Sequence, residues 1–341
     1  MPNIAVKPLC LYCARRAHNL PIMPSNQALK YETPKRVRIC SIWRALEVLG
    51  DVPTLLILES IWLSDLRFDA IKARTCLSKP LIAERLKKLV ASGILERRLY
   101  CARPARYEYR LSTKGLDLFP VTMMLLRWEK IWSARREIVQ MDLIHNGCGA
   151  SVSPEPMRGN CQAIVRPRDI EWREGPGLEM VEPDYTRRRQ HRKRQAIAQN
   201  LSLFTDSAEL LGDRWAGLVM RAVFTGLARF GEILQDSGIA SNILVERLDW
   251  LRNHGFLIAH AYQASPDRFA YHPTAKALDY LPILLMLQRW GDKYYGSDAG
   301  PPVIMHHKTC GAQLDIYAGC GACKGALQLD NVTLKMRQSD N

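Results

Sequence analysis

The sequence predicts a mainly α-helical chain with small β-hairpins, built as one unit repeated in tandem. Three observations predict it. The chain falls into register with itself, without a gap, when it is slid by 162 residues. Each copy carries apolar residues at helical spacing, followed by two short stretches rich in β-formers. And 341 residues at 47% hydrophobic content are enough for two ordinary domain cores and too apolar for a disordered chain.

The repeat organises everything else. It aligns Gly50-Asp51 with Gly212-Asp213, Arg67-Phe68 with Arg229-Phe230, and Glu84-Arg85-Leu86 with Glu246-Arg247-Leu248. Farther on it pairs Pro104 with Pro266, Tyr109 with Tyr271, Arg127-Trp128 with Arg289-Trp290, His145 with His307, Cys148-Gly149 with Cys310-Gly311 and Cys161 with Cys323. An ungapped match of this length marks a tandem duplication, with a first domain expected over residues 35–140 and a second over 200–298. Around them the sequence divides into an N-terminal extension (1–34), a degenerate Cys/His tail (141–161), a linker with a basic arm (162–199), a second Cys/His tail (299–327) and a C-terminal tail (328–341).

Within the first copy, "LSKPLIAERLKKLVASGIL" places Ile82, Leu86, Leu89 and Val90 on one helical stripe. Ser78 is the expected N-cap, Pro80 fits the first turn and Gly93 is the stop. The second copy keeps Leu244, Leu248 and Leu251 on that stripe. A shorter helix begins at each Arg-Phe pair, and a tight turn joins it to the longer one. Next come "ILERRLYC" and "RYEYRL", linked by a Pro-containing turn, with "FLIAHAY" and "RFAYHP" as their counterparts. Helix, turn, helix and hairpin is the order of a winged helix. The expected architecture is therefore two tandem winged helix-turn-helix domains, able to form an intramolecular pseudo-dimer, each with a short Cys/His tail.

At the level of particular residues, about 38–135 and 200–297 of the chain resemble the HxlR-type winged helix-turn-helix transcriptional regulators. The match rests on "CSIWRALEVLGDVPTLLIL", with Cys40 ten residues before Gly50, on "RF" followed by "LIAERLKKLVASGIL", on the wing "ARPARYEYRLSTKG" and on the closing "LLRW". Pro53 stands where the family usually has Trp, which the second copy retains as Trp215; a first-turn proline leaves the helix intact. The resemblance implies dimers built around terminal helices that read two half-sites. Here "LFPVTMMLLRWEKIWS" and "YLPILLMLQRWGDKYYG" would supply that interface inside one chain, or each would cap its own core. Their Met-rich faces also suit a pocket for a small-molecule effector. A monomeric pseudo-dimer and a homodimer both fit. Cys40 takes the position where some members that respond to oxidants or quinones carry a sensing thiol; a buried inert thiol is the competing reading.

The net charge of +14 favours an anionic partner, with double-stranded DNA first, and about +12 of it falls on residues 1–161. In a winged helix the second helix of the pair enters the major groove with its N-terminal residues toward base edges. In the first copy these are Ser78, Lys79, Ala83 and Lys87, with Arg85 nearer phosphates, and the wing adds Arg97, Arg98, Arg103 and Arg106 for backbone or minor-groove contact. Lys35 and Arg36 lead into the domain as a short basic stretch, and "RRRQHRKRQ" at 187–195 forms a second arm. The second copy offers Ser241, Asn242, Val245 and Asp249 on the helix and Arg268 on the wing. Fewer cations weaken phosphate attraction, so this copy either contacts a diverged half-site weakly or serves a structural and sensing role.

Ten cysteines occur without an export signal, and no stretch approaches about 18 uninterrupted apolar residues. The expectation is a cytoplasmic protein with no membrane partner and with reduced thiols. His307, Cys310, Cys320 and Cys323 lie at ribbon-like spacing for one structural zinc, or are reduced free thiols. The repeat puts Arg158 where Cys320 stands, so the first tail lacks a ligand unless Cys10 or Cys13 completes it. The chain contains no phosphate-binding Gly loop, nucleophile elbow or His-Glu-x2-His. The reading is a non-enzymatic, sequence-specific DNA-binding transcriptional regulator, a repressor, with its first domain dominant on DNA. The alternatives are a redox- or metal-sensing interaction protein and a non-specific nucleic-acid binder.

Overall fold

A computed structural model describes residues 36–133, 141–182, 203–264 and 267–336. Lys35, Cys10, Cys13 and the 187–195 arm lie outside them. The first repeat runs β1 (Val37–Ile39), α1 (Ser41–Leu49), α2 (Val52–Trp62), α3 (Phe68–Thr75), α4 (Lys79–Ala91), β2 (Leu95–Ala102), β3 (Ala105–Leu111), α5 (Thr113–Leu116) and α6 (Phe119–Trp132). Its tail adds β4 (Met141–His145) and β5 (Pro154–Arg158), and the stretch after it adds β6 (Ile170–Glu174) and β7 (Glu179–Val181). The second repeat runs α7 (Thr205–Leu211), α8 (Arg214–Phe224), α9 (Phe230–Ser237), α10 (Ser241–Asn253), β8 (Leu257–Ala264), β9 (Asp267–Pro273), α11 (Ala275–Leu278), α12 (Leu281–Tyr295), β10 (Val303–His307), β11 (Ile316–Cys320) and β12 (Val332–Met336).

Local chemistry explains the helix boundaries. Asp51 caps α2 by accepting from the Thr54 amide at 3.0 Å, and Pro53 sits in that first turn, where its missing N–H costs nothing. Asp213 does the same for α8, accepting from the Trp215 and Ala216 amides, each at 3.1 Å. Ser78 holds the N-cap position of α4 but makes no capping bond, so the hydroxyl expected to close that helix stays at the surface. Gly93 and Gly255, at φ +73° and +72°, turn the chain out of the two recognition helices into the wings β2–β3 and β8–β9.

The two repeats share one apolar core. The first helix of each packs on the last helix of the other: α1 on α12, and α7 on α6; α6 and α12 also pack together. The terminal helices are therefore the pseudo-dimer seam that the resemblance implies. Polar contacts across it obey the same 162-residue offset. The Trp128 indole donates to the Lys276 carbonyl at 3.0 Å, and the Trp290 indole to the Lys114 carbonyl at 2.9 Å. Trp132 donates to Asp279 at 2.8 Å, and its counterpart Tyr294 to Asp117 at 2.5 Å. Gly291 lets α12 approach α1 closely, since a Cβ there would stand 2.4 Å from the Ser41 carbonyl oxygen. On one side of the seam the symmetry is broken by aromatics: Trp128 stacks on Phe256 at 5.5 Å and meets Tyr280 edge-on at 5.6 Å.

The regions expected to be separate tails and a linker are instead interlocked. β4 pairs with β12, β5 with β11 and β6 with β10, all antiparallel. The register respects the repeat: His145 faces Val332 as His307 faces Ile170, and at the centre Pro156 faces its own equivalent, Ala318. The linker stretch thus supplies β6, and also β7, which pairs with β1. Beside β1, Arg38 and Arg221 share Asp236 at 2.7 and 2.5 Å.

A shared core should unfold as one unit. Urea denaturation followed by tryptophan fluorescence and by circular dichroism is expected to give one coincident transition, and Trp128→Ala to lower stability by about 3–5 kcal/mol; two separated transitions would show that the halves fold independently.

Candidate nucleic-acid interface and candidate metal centre

In the first repeat α3 and α4 form the helix pair, and Ile82, Leu86 and Leu89 bury one face of α4. The opposite face leaves Ser78, Lys79, Ala83 and Lys87 exposed. Lys88 is turned back to the protein, donating to the Glu47 and Val48 carbonyls at 2.7 and 3.0 Å. Arg85, placed nearest to phosphates by the sequence reading, is committed elsewhere: it binds Asp51 at 3.0 Å and Glu84 at 2.5 Å. Its counterpart Arg247 binds Asp213 at 2.6 Å. Both arginines brace the recognition helix against the cap of the preceding core helix.

In the first wing, Arg97, Arg98, Arg103 and Arg106 are exposed. Arg97 lies over the Tyr107 ring at 3.4 Å, which holds its guanidinium on the strand, and Arg98 faces Glu96 at 3.4 Å. Arg67 lies over Tyr100 at 4.5 Å, as Arg229 lies over Tyr262 at 4.9 Å, so each wing is tied to the start of its own helix pair. Arg36 is exposed and donates to the Met180 carbonyl at 2.5 Å. In the second repeat Asn242 and Arg268 are exposed and Ser241 is half-buried. At the positions of Lys79, Lys87, Arg97, Arg98 and Arg103 stand Ser241, Asp249, Ala259, His260 and Ser265.

Cys40 is buried at 3% exposure, and its sulfur accepts from the Arg221 guanidinium at 3.2 Å. Arg221 is itself buried, and the carboxylate of Asp236 raises its pKa against the opposing effect of desolvation. The thiol thus sits inside the joint where the first repeat's leading strand crosses the second repeat.

The candidate metal centre differs from the expected one. His145, Cys148, Cys320 and Cys323 converge, with all ligand atoms within 4.8 Å of one another. The sulfurs of Cys148 and Cys320 are 3.8 Å apart, and His145 Nδ1 lies 3.4 Å from Cys148 and 3.3 Å from Cys323. A tetrahedral ion bound at about 2.3 Å to sulfur and about 2.0–2.1 Å to nitrogen requires separations of about 3.8 Å between sulfurs and about 3.5 Å between sulfur and nitrogen. The donor set fits such an ion. The backbone closes around it: a Cβ at Gly325 would stand 3.1 Å from His145 Cε1. His307 and Cys310, expected to share a site with Cys320 and Cys323, belong instead to a second cluster with Cys161 and Arg158. The reason is the strand crossing: β11 pairs with β5 and β12 with β4, which carries the Cys320 knuckle to the His145 knuckle of the other repeat. The sequence names all the ligands but pairs them within one tail.

The model for the HxlR-like helix-turn-helix family matches residues 48–137 and again 210–299, and the chain belongs to that family. Relatives include an uncharacterised HTH-type transcriptional regulator of Mycobacterium tuberculosis, 34% identical over 125 residues that cover 37% of this chain and 79% of that protein. The HTH-type transcriptional regulator YodB of Bacillus subtilis is 29% identical over 86 residues, covering 25% of this chain and 77% of that protein. A solved structure described as a transcription factor from Pseudomonas aeruginosa is 30% identical, covers 40% of this chain and 92% of its own, and has a TM-score of 0.31. No helix among the described residues is long and apolar enough to cross a membrane. The chain is a transcriptional regulator of the helix-turn-helix type.

The crossed centre is tested by ligand replacement. Cys148→Ser and Cys323→Ser are each expected to abolish metal retention in purified full-length protein, measured by elemental analysis, while Cys310→Ser keeps it. Retention in Cys148→Ser together with loss in Cys310→Ser would restore the within-tail quartet, since Cys323 is a ligand in both arrangements.

Proposed function

We propose that the chain is a sequence-specific double-stranded-DNA-binding regulator that acts as a repressor, with the first domain making most of the DNA contact. The observation carrying this reading is the exposed face of α4 and its wing: Lys79, Lys87, Arg97, Arg98, Arg103 and Arg106 all reach solvent from the two elements that dock on DNA in a winged helix. Of the corresponding positions in the second repeat only Arg268 is an arginine or lysine. Ser78, Lys79, Ala83 and Lys87 face base edges, the wing arginines follow phosphates or the minor groove, and Asn242 with Ser241 meets a second, weaker half-site. Arg36, with Lys35 before it, extends the cationic track at the edge of the first domain. Repression follows from occupancy, since a protein seated over a promoter excludes the polymerase without further machinery.

In this reading one chain does the work of a dimer, because the two winged helices are already joined through α6 and α12. The cluster of His145, Cys148, Cys320 and Cys323 holds one structural zinc, which would cross-link the two tails without taking part in catalysis. A cleft of about 310 Å³ beside α12, lined by Leu285, Gln288, Arg289, Asp292, Met305 and Asp315, is the place for a small-molecule effector.

Selection of bound duplexes from a random pool, followed by footprinting on the recovered sequence, tests the reading. One short protected operator is expected, with Lys79→Ala or Lys87→Ala costing about 1–3 kcal/mol of affinity and flattening the salt dependence by about one counterion, and Asn242→Ala costing much less. Uniform weak protection that disappears at moderate salt would leave only a non-specific binder, and equal losses from the two domains would remove the first domain's dominance.

A further inference from the structure

The strand crossing builds a second cradle on the other side of the pseudo-dyad, from His307, Cys310, Cys161 and Arg158. All four knuckles that make up the two cradles have the same backbone form. The residue following each cysteine lies in the left-handed region: Gly149 at φ +68°, Gln162 at +52°, Gly311 at +66° and Lys324 at +63°. Two of these are not glycine, so the conformation is imposed by the knuckle and not merely permitted by the residue. Each knuckle also closes with an amide-to-carbonyl bond of 2.8–2.9 Å: Gly149 to His145, Gln162 to Arg158, Gly311 to His307 and Lys324 to Cys320. The knuckle that has lost its first cysteine is shaped like the three that keep their ligands.

What fills this cradle is the Arg158 guanidinium. Its Nη1 donates to Cys161 Sγ at 2.9 Å and lies 2.7 Å from His307 Nδ1, and its Nη2 donates to Cys310 Sγ at 2.9 Å. The side chain is only 2% exposed, although Cys161 and Cys310 at its edge are open to solvent. Acceptance by His307 Nδ1 requires the tautomer that carries its proton on Nε2, the form that would also bind a metal through Nδ1. A guanidinium offers planar donors and a permanent positive charge, and so satisfies a soft anionic donor set as an ion would. The Ala312 amide together with the Arg158 guanidinium lowers the pKa of Cys310 below that of an ordinary thiol.

We propose that Arg158 is the built-in cation of a second, metal-free cradle, binding Cys161, Cys310 and His307 where the first cradle binds a metal ion, and leaving Cys310 as a nucleophilic thiol open to soft electrophiles. The chain then holds one metal ion and not two. The inference rests on the reading of His145, Cys148, Cys320 and Cys323 as a metal site.

Two measurements on the full chain test it. Elemental analysis of protein purified under reductant with zinc supplied is expected to give one zinc per wild-type chain and two per Arg158→Cys chain, because that substitution completes the second quartet. Two zincs in wild type would overturn the proposal, as would no gain in an Arg158→Cys protein with wild-type circular dichroism. The second measurement is the rate of iodoacetamide alkylation at each cysteine, mapped by mass spectrometry. Arg158→Gln is expected to slow Cys310 by about threefold for each unit by which its pKa rises, the thiolate loss being partly offset by greater nucleophilicity, whereas Arg158→Lys restores part of the rate. An unchanged Cys310 rate in Arg158→Gln would overturn the proposal, including where Arg158→Cys does not fold. Wild type without any zinc would defeat the metal reading of the first cradle by itself, and the alkylation rates would still decide the role of Arg158.

Discussion

The constraint on which the structure depends is that neither repeat encloses its own terminal helix. Along α6 the residues Val121, Thr122, Met123, Met124, Leu125 and Leu126 are buried in succession, and α12 does the same from Pro282 to Gln288. A helix buried all round needs packing partners on every side, and one winged-helix domain supplies them on only one. The rest come from the other repeat, as α1 against α12 and α7 against α6. The seam between the domains is therefore core in its own right, and the two helix-and-wing surfaces are held by one shared centre.

Apolar burial sets the strength of that centre but not its geometry, because apolar contact is non-directional. Buried polar groups supply the geometry. Glu129 on α6 accepts from the Ser207 amide and hydroxyl at 2.7 and 3.0 Å, satisfying an orphan donor at the start of α7, and burial raises the pKa of its carboxyl. Glu59 accepts from the Leu203 amide at 2.5 Å. A sliding of one repeat against the other would strand these groups without partners, at about 1–3 kcal/mol each. The same logic holds for the indole donors of Trp128 and Trp290. The tails extend the symmetry outward, since their strands pair in a register that maps onto itself under the repeat.

Much of this was legible in the sequence, and the failures share one cause. The helix pair, the wing and the stop at Gly93 follow from local periodicity and turn chemistry, which neighbouring residues determine. The exposed lysines of α4 were legible for the same reason, because the stripe of Ile82, Leu86 and Leu89 fixes which face is left over. Crossing was not legible. Two His-x2-Cys knuckles, one Cys-x2-Cys and one Arg-x2-Cys give one complete quartet and one incomplete whether they pair within a tail or between tails, so composition and spacing cannot choose. The choice lies in the pairing of β5 with β11, a contact between residues far apart in the chain. The ion pair of Arg85 was hidden for a related reason: its partner Asp51, the cap of α2, lies 34 residues away in the chain.

Fusion of the two halves changes what such a fold can do. In a homodimer any substitution appears twice, so a cradle cannot lose a ligand on one side and keep it on the other, and a recognition helix cannot become less cationic without weakening both half-sites. Covalent duplication removes that restriction while keeping the crossed core, which still demands both repeats. The divergence is seen away from the helix seam: Arg158 in the place of Cys320, Asp249 in the place of Lys87, His260 in the place of Arg98. Where the core does enforce it, at Trp128 and Trp290, at Asp51 and Asp213, and at Arg85 and Arg247, the two halves remain alike in residue and in contact. A pseudo-dimer of this kind can therefore give one half the electrostatic work of holding DNA, while the other, still needed for the fold, is free to acquire different surface chemistry.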